Sequence, residues 1–168
     1  SLESGPLAFF TPRASGLMLG ATLAPGESPT AQELLVLNYL FVPGLNIAED
    51  GVSVEADTVA SPGTQASGIA RLAVLSPADP DATLRALAPR AERARHIDAL
   101  AAALAVGSYD GVMLDYGRFD PAQQQVFVHM VESLETRLEQ DGKLLALRVP
   151  TPAASGGGWD TTPYAWPG

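Results

Sequence analysis

The stretch Tyr109-Asp110-Gly111-Val112-Met113-Leu114-Asp115-Tyr116-Gly117 decides how this chain is read. Val112 to Tyr116 is a short apolar run; Asp110 stands just before it and a second acid, Asp115, interrupts it. Side chains of a strand alternate between its faces, so a strand over 111–116 puts Met113, Asp115 and Gly117 on one face. Val112, Leu114 and Tyr116 take the other. An acid inside an apolar strand is costly to bury unless it is hydrogen-bonded or lines a solvated cavity. Asp115 is therefore either a structural carboxylate that caps a neighbouring loop or helix, or part of a site.

Just downstream, Asp120-Pro121 reads as a helix N-cap followed by proline in the first turn. Phe127, Met130, Val131, Leu134 and Leu138 recur every three or four positions, which predicts a helix over 121–140 stopped by Asp141-Gly142. Leu144 to Val149 then reads as a strand stopped by Pro150. Upstream, 81–106 is helical in pattern but divided by Pro89, so one helix ends near Ala88 and another starts at Pro89. Ile97, Leu100, Ala101 and Leu104 form the apolar stripe of the second, and Gly107 closes it. His96 is expected on the helix surface, and Arg90, Glu92, Arg93 and Arg95 on a solvated face.

Ile69 to Leu75 is a further strand, preceded by a loop at 58–68 rich in Ser, Thr, Gly and Pro. The nearly continuous apolar run Leu34 to Val42 is expected to be a strand covered on both faces and stopped by Pro43-Gly44. Asn38 inside it is either a satisfied core amide or faces a site. Glu49-Asp50-Gly51 marks a small hairpin within 47–57. Thr30 and Glu33 fit a capping box for a short helical turn. Leu17 to Leu23 is the first strand, and residues 1–16, with Phe9 and Phe10, an extended lead-in. The tail is Pro, Gly, Thr and aromatic, with Gly156-Gly157-Gly158 as a flexible loop.

Apolar strands at 17–23, 34–42, 69–75, 111–116 and 144–149 thus alternate with helices at the spacing of βα units. The pattern predicts an α/β chain with a mainly parallel sheet, its strands adjacent in that order. The organisation is a lead-in at 1–16 and one domain over 17–168.

With 168 residues the chain can bury a core, and 46% apolar against 17% charged residues makes it globular. Ten Lys and Arg against nineteen Asp and Glu, a net charge of −9, argue against nucleic acid and anionic membrane surfaces as partners. Without cysteine there are no disulfides or thiolate metal sites. No run reaches the ~18 apolar residues of a membrane span. His96 and His129 lack metal-ligand spacing, and no glycine-rich cofactor loop or nucleophile elbow is present, so no cofactor is expected. Ser1-Leu2-Glu3-Ser4-Gly5 has neither an initiator Met nor a basic-then-apolar leader, as expected of a trimmed or processed chain or a piece of a longer one.

Asp110-Gly111, then Met113, Asp115 and Gly117 at alternate positions, resembles the fourth-strand signature D-G-x-D-x-D-x-E of glycoside hydrolase family 18, the chitinase-type enzymes. Asp110 and Gly111 match its opening and Asp115 its last Asp. Met113 stands in place of the middle Asp and Gly117 in place of the catalytic Glu. Leu19-Gly20-Ala21 resembles the family's first strand, and Leu37 to Phe41, with Asn38-Tyr39, its second. Asn46 to Val52 is similar to the second-strand loop of the spore-cortex and cell-wall branch. Leu72 to Ser76 and Leu144 to Pro150 correspond to the third and fifth strands, and Trp159-Asp160 with Tyr164 to the approach to the sixth. The resemblance implies a parallel (β/α) barrel of the TIM type, with only its first five β/α units in this chain. Closure takes eight strands and ~250 residues. The strand at 17–23 or that at 144–149 is thus expected to be covered by another chain or by missing C-terminal protein.

In that family the acid at the motif's end protonates the glycosidic oxygen, the substrate's own acetamido group attacks, and the neighbouring Asp orients it. Gly117 has no proton to give and Met113 cannot relay charge, whereas Asp115 can still hold an acetamido N–H. The resemblance and its departures imply a catalytically inactive chitinase-like domain, binding N-acetylated glycan or serving as scaffold, in a cell-envelope or secreted protein. Asp115, Tyr116, Asn38 and Tyr39 are its groove candidates. Trp159, Tyr164 and Trp166 are sugar-stacking rings; the alternative role for these candidates is core packing or cover for an edge. Two other readings stand beside it. One is an assembly subunit without glycan binding; the other is an active glycosidase with its acid outside the motif, where Asp120 is nearest but suits an N-cap.

Overall fold

A computed structural model of the protein describes residues 19–24, 27, 29–56 and 68–150, and the backbone of 153–155 and 158–160. The lead-in at 1–16, most of the 58–68 loop, Tyr164 and Trp166 lie outside the described residues. In chain order the elements are β1 (Gly20–Thr22), α1 (Ala31–Leu34), β2 (Tyr39–Ile47), β3 (Val54–Ala56), β4 (Ala70–Leu75), α2 (Pro80–Ala86) and α3 (Arg90–Val106). There follow β5 (Gly111–Leu114), a 3-10 turn at Pro121–Gln123, α4 (Gln124–Gln140), β6 (Leu144–Leu147), β7 (Ala153–Ser155) and β8 (Gly158–Asp160). The main sheet has the order β1-β2-β4-β5-β6 with every neighbour parallel, as the alternation of strand and helix predicts. This is the strand order of a partial (β/α) barrel.

One face of the sheet is sealed by helices. Leu40 and Val42 of β2, Ala73 and Leu75 of β4, and Val112 and Leu114 of β5 pack with Leu84, Leu100, Leu104, Met130, Leu134 and Leu138 from α2, α3 and α4. The register places Tyr39, Phe41, Leu72, Val74, Met113 and Ala146 on the opposite, inner face, because alternate residues share a face. Helix starts follow the expected chemistry. Thr30 and Glu33 form a capping box, and Asp79 and Asp120 each accept from a backbone N–H two or three residues on.

Several boundaries differ from the sequence reading. Leu34 to Leu37 is not strand: α1 takes Leu34, and Leu35 and Val36 turn outward to solvent. Strand β2 begins at Tyr39 and runs through Pro43-Gly44 instead of stopping there. Leu23 N–H donates to Phe41 O at 2.9 Å, so alternation points Pro43 the same way, past the end of β1, where its missing N–H forfeits no ladder bond. Gly44 absorbs the register shift between Pro43 and Leu45. A β-carbon on it would collide with the hydroxyl of Tyr109, whose ring also closes against Gly107 and lies 5.4 Å from the buried Arg71 guanidinium. The far half of β2 then pairs antiparallel with β3, which is the expected hairpin. Of the 156–158 stretch, expected as loop, Gly158 instead belongs to β8, which pairs antiparallel with β7 through Ser155 and Gly158; residues 156–157 lie outside the described residues.

His96 is the largest correction on the helix layer. It is fully buried, not on the surface, because the turn after β2 folds over α3 and Val52 O accepts from its Nδ1 at 2.7 Å. That bond sets the tautomer, and Nε2 meets no partner among the described residues. The turn itself is tied by Asp50, which accepts from Val52 N–H, Ser53 N–H and the Ser53 hydroxyl.

Two outcomes follow from this packing. A β-carbon on Gly111 would run into the Leu144 carbonyl, so Gly111→Ala should push β6 off β5 and lower stability by about 1–3 kcal/mol, read by urea denaturation. Burial, opposed by the Val52 bond and the Asp50 charge, holds the His96 imidazole below its ordinary value of 6.5. The unfolded chain therefore takes up a proton before the folded one does. His96's contribution is full above that value and declines below it, by at most about 1.4 kcal/mol per pH unit. The urea midpoint should drop between about pH 7.5 and about pH 5.5, and the drop should shrink in His96→Gln.

Candidate functional site

The two acids of the central stretch lie at opposite ends of β5. At its start, Asp110 accepts from Arg71 N–H at 2.8 Å, its own N–H donates to Arg71 O, and Leu144 N–H donates to Asp110 O. All three bonds are structural and clamp β4, β5 and β6 together. At the far end the ladder runs one residue past each strand: Asp115 N–H donates to Leu75 O at 3.0 Å, and Arg148 N–H to Leu114 O at 2.9 Å. Leu114 is paired with Leu147, so Asp115 and Arg148 follow side by side on the inner face. There Arg148 Nη1 donates to Asp115 Oδ2 at 3.1 Å.

The other expected positions divide. Met113 is on the inner face, buried. Gly117 lies beyond β5, with φ at +56° and open space where a β-carbon would stand. The left-handed backbone there departs from the extended path on which the alternation of 113, 115 and 117 relied. Tyr116 is not in a groove. It shares the helix-covered face with Leu114, is 1% exposed and packs on Phe127 with ring centroids 5.3 Å apart. Asn38 sits at the opposite end of the sheet from Asp115, buried; its Oδ1 accepts from Leu19 N–H and its own N–H donates to Leu19 O. Tyr39 opens β2 on the inner face, half-buried and stacked with Phe41. Trp159 falls in β8, with only its backbone described, and Tyr164 lies outside the described residues. Asp120 is occupied as a cap: Ala122 N–H donates to its carboxylate at 2.9 Å.

Arg148 is the residue that reading from sequence missed. Its signal was present, since a parallel register that pairs Gly111 with Leu144 brings Asp115 opposite Arg148. Two surface grooves lie elsewhere, one between α3 and α4 beside Arg93, His129 and Arg137, the other along β1 and α1 beside Thr22 and Glu33. Neither holds the motif residues. Among the described residues no cluster of His, Asp and Glu is arranged to hold a metal, and no helix is long and apolar enough to cross a membrane.

No family model and no curated protein matches the sequence. Solved structures do. A spore cortex-lytic enzyme, SleL, of Bacillus megaterium matches with TM-score 0.68 at 16% identity, over 86% of this chain and 37% of that one. A chitinase of Chromobacterium violaceum matches with TM-score 0.63 at 17% identity, over 82% of this chain and 47% of that one. Catalytic domain 2 of a Group II chitinase from Ostrinia furnacalis, a mutant in complex with penta-N-acetylchitooctaose, matches with TM-score 0.62 at 15% identity, over 77% and 42%. The chain therefore has a chitinase-like fold, that of a partial (β/α) barrel, as the motif resemblance implied. It spans less than half the length of the solved structures it matches.

The Asp115 and Arg148 side chains are 23% and 59% exposed, so their pairing contributes little to stability. A double-mutant cycle of Asp115→Ala and Arg148→Ala should give a coupling of about 0.2–1 kcal/mol that shrinks with added salt.

Proposed function

We propose that this chain is a catalytically silent chitinase-like domain that binds an N-acetylated glycan at the carboxyl ends of its strands, in a secreted or cell-envelope protein. The observation that carries this is the occupancy of the motif's acid positions. Met113 and Gly117 replace two carboxyl groups, and the surviving acid, Asp115, is engaged by Arg148. Ligands of parallel barrels bind at the carboxyl face, which supports Asp115 and Arg148 as the contact point. The resemblance to chitinases and a cortex-lytic enzyme supports the glycan and the location outside the cell.

The partner reading draws on the sheet edges. The strands β1 and β6 end the main sheet, and Leu19, Leu35, Val36 and Val149 are exposed apolar residues beside them. A further segment of three β/α units, in this polypeptide or another, would cover both edges, since eight strands close such a barrel. The same exposure favours a second reading, an assembly subunit with no ligand of its own.

General acid catalysis contributes ~10²–10⁴-fold, and without a donor the leaving group departs as an alkoxide. The expected result is no turnover of chito-oligosaccharides above buffer, by reducing-end release. Replacing Gly117→Glu together with Met113→Asp should not restore it, because a left-handed backbone at 117 costs a side chain about 1–2 kcal/mol and no longer continues the strand. Hydrolysis by the unaltered chain, lost in Asp115→Ala, would establish instead an active glycosidase with its acid outside the motif.

A further inference from the structure

Arg148 uses one nitrogen on Asp115. A guanidinium carries five N–H donors, and among the described residues the others meet no acceptor. Asp115 is the more buried member of the pair, so the carboxylate anchors and the guanidinium faces outward. A neutral acetamido N–H seeking Asp115 must compete with a charge-assisted bond, the stronger kind. An incoming carboxylate meets no such competition among the described residues, because the remaining donors of the planar fork match it with two parallel bonds. Place distinguishes this pair from the other exposed ones. Arg95 with Asp50, and Arg137 with Asp98 and Asp141, involve the helices and the β2–β3 turn. Arg148 and Asp115 stand at the carboxyl ends of adjacent parallel strands, on the inner face, where ligands of such sheets bind.

We infer that Arg148 is the ligand-selecting residue of this face and Asp115 the residue that positions it. The glycan selected is acidic, an N-acetylated sugar chain that also carries carboxylates, in preference to a neutral chito-oligosaccharide. The inference rests on the glycan-binding reading above. The chain's net charge of −9 repels an acidic ligand at long range, so binding depends on the local cation.

Isothermal titration of the full chain with chitotetraose, and with a tetrasaccharide of alternating N-acetylglucosamine and glucuronic acid, tests it. The acidic sugar should bind the more tightly, and its binding should weaken as salt rises from about 0.05 M to about 0.5 M. Arg148→Ala should lose at least about tenfold of that affinity, and Arg148→Lys, which keeps the charge without the fork, should fall between. Asp115→Asn should weaken the acidic sugar by releasing the guanidinium from its place. Circular dichroism of each variant separates loss of binding from loss of fold. Chitotetraose binding as tightly as the acidic sugar, or an unchanged Arg148→Ala, overturns the inference while glycan binding stands. Binding of neither sugar overturns both.

Discussion

A β-carbon on Gly111 would strike the Leu144 carbonyl, so this one absent side chain sets how closely β6 can approach β5. The neighbouring Asp110 holds the same junction from the side, bonding Arg71 through both carboxylate and backbone while accepting from Leu144 N–H. Together they lock three parallel strands in register at their starts. Since the period of a strand is two, a slip of one residue would move every side chain to the wrong face. Val112, Leu114, Leu145 and Leu147 reach the helices only in this register. The same register delivers Asp115 and Arg148 to each other at the far ends.

The helix layer shows how a small core accommodates polar groups. Tyr109 lies between Gly44 and Gly107, each of which owes its identity to the ring that fills the space a β-carbon would need. Arg71, buried beneath the layer, places its charge over that ring. His96 is buried as a neutral donor to a carbonyl, an arrangement cheaper than burying its charged form. In each case a polar side chain inside the layer meets a group from a distant part of the chain: Tyr109 meets Gly44, Arg71 the Tyr109 ring, and His96 the Val52 carbonyl.

On the inner face the replaced motif positions are consistent with their surroundings. Met113 is buried beside Leu72 and Val74 of the next strand, where an acid would be costly to desolvate. At Gly117 the backbone itself has turned into the left-handed region, so the departure from the chitinase-type pattern is one of chain path as well as side chain. What survives is a carboxylate whose first partner is an arginine, at the end of the sheet that such folds use for ligands.

Much of the fold was legible locally. Apolar runs and the spacing of Phe127, Met130, Leu134 and Leu138 are properties of short segments, and they identified all five main strands, the long helices, the parallel sheet and the caps at Thr30 and Asp120. The motif stretch also carried the chitinase-like likeness, and its alternation already put Tyr116 opposite Asp115. Which face the helices would cover was not local, and that decided that Tyr116 is core. The continuation of β2 through Pro43 depended on where β1 ends, and the burial of His96 on a hairpin some forty residues earlier. The Asp115–Arg148 pair depended on register. The sequence by itself determined which elements form, because helix and strand periods and capping residues act over a few neighbours. Only the tertiary structure decided which side chains meet, because register and coverage are set by backbone approach between segments far apart in the chain.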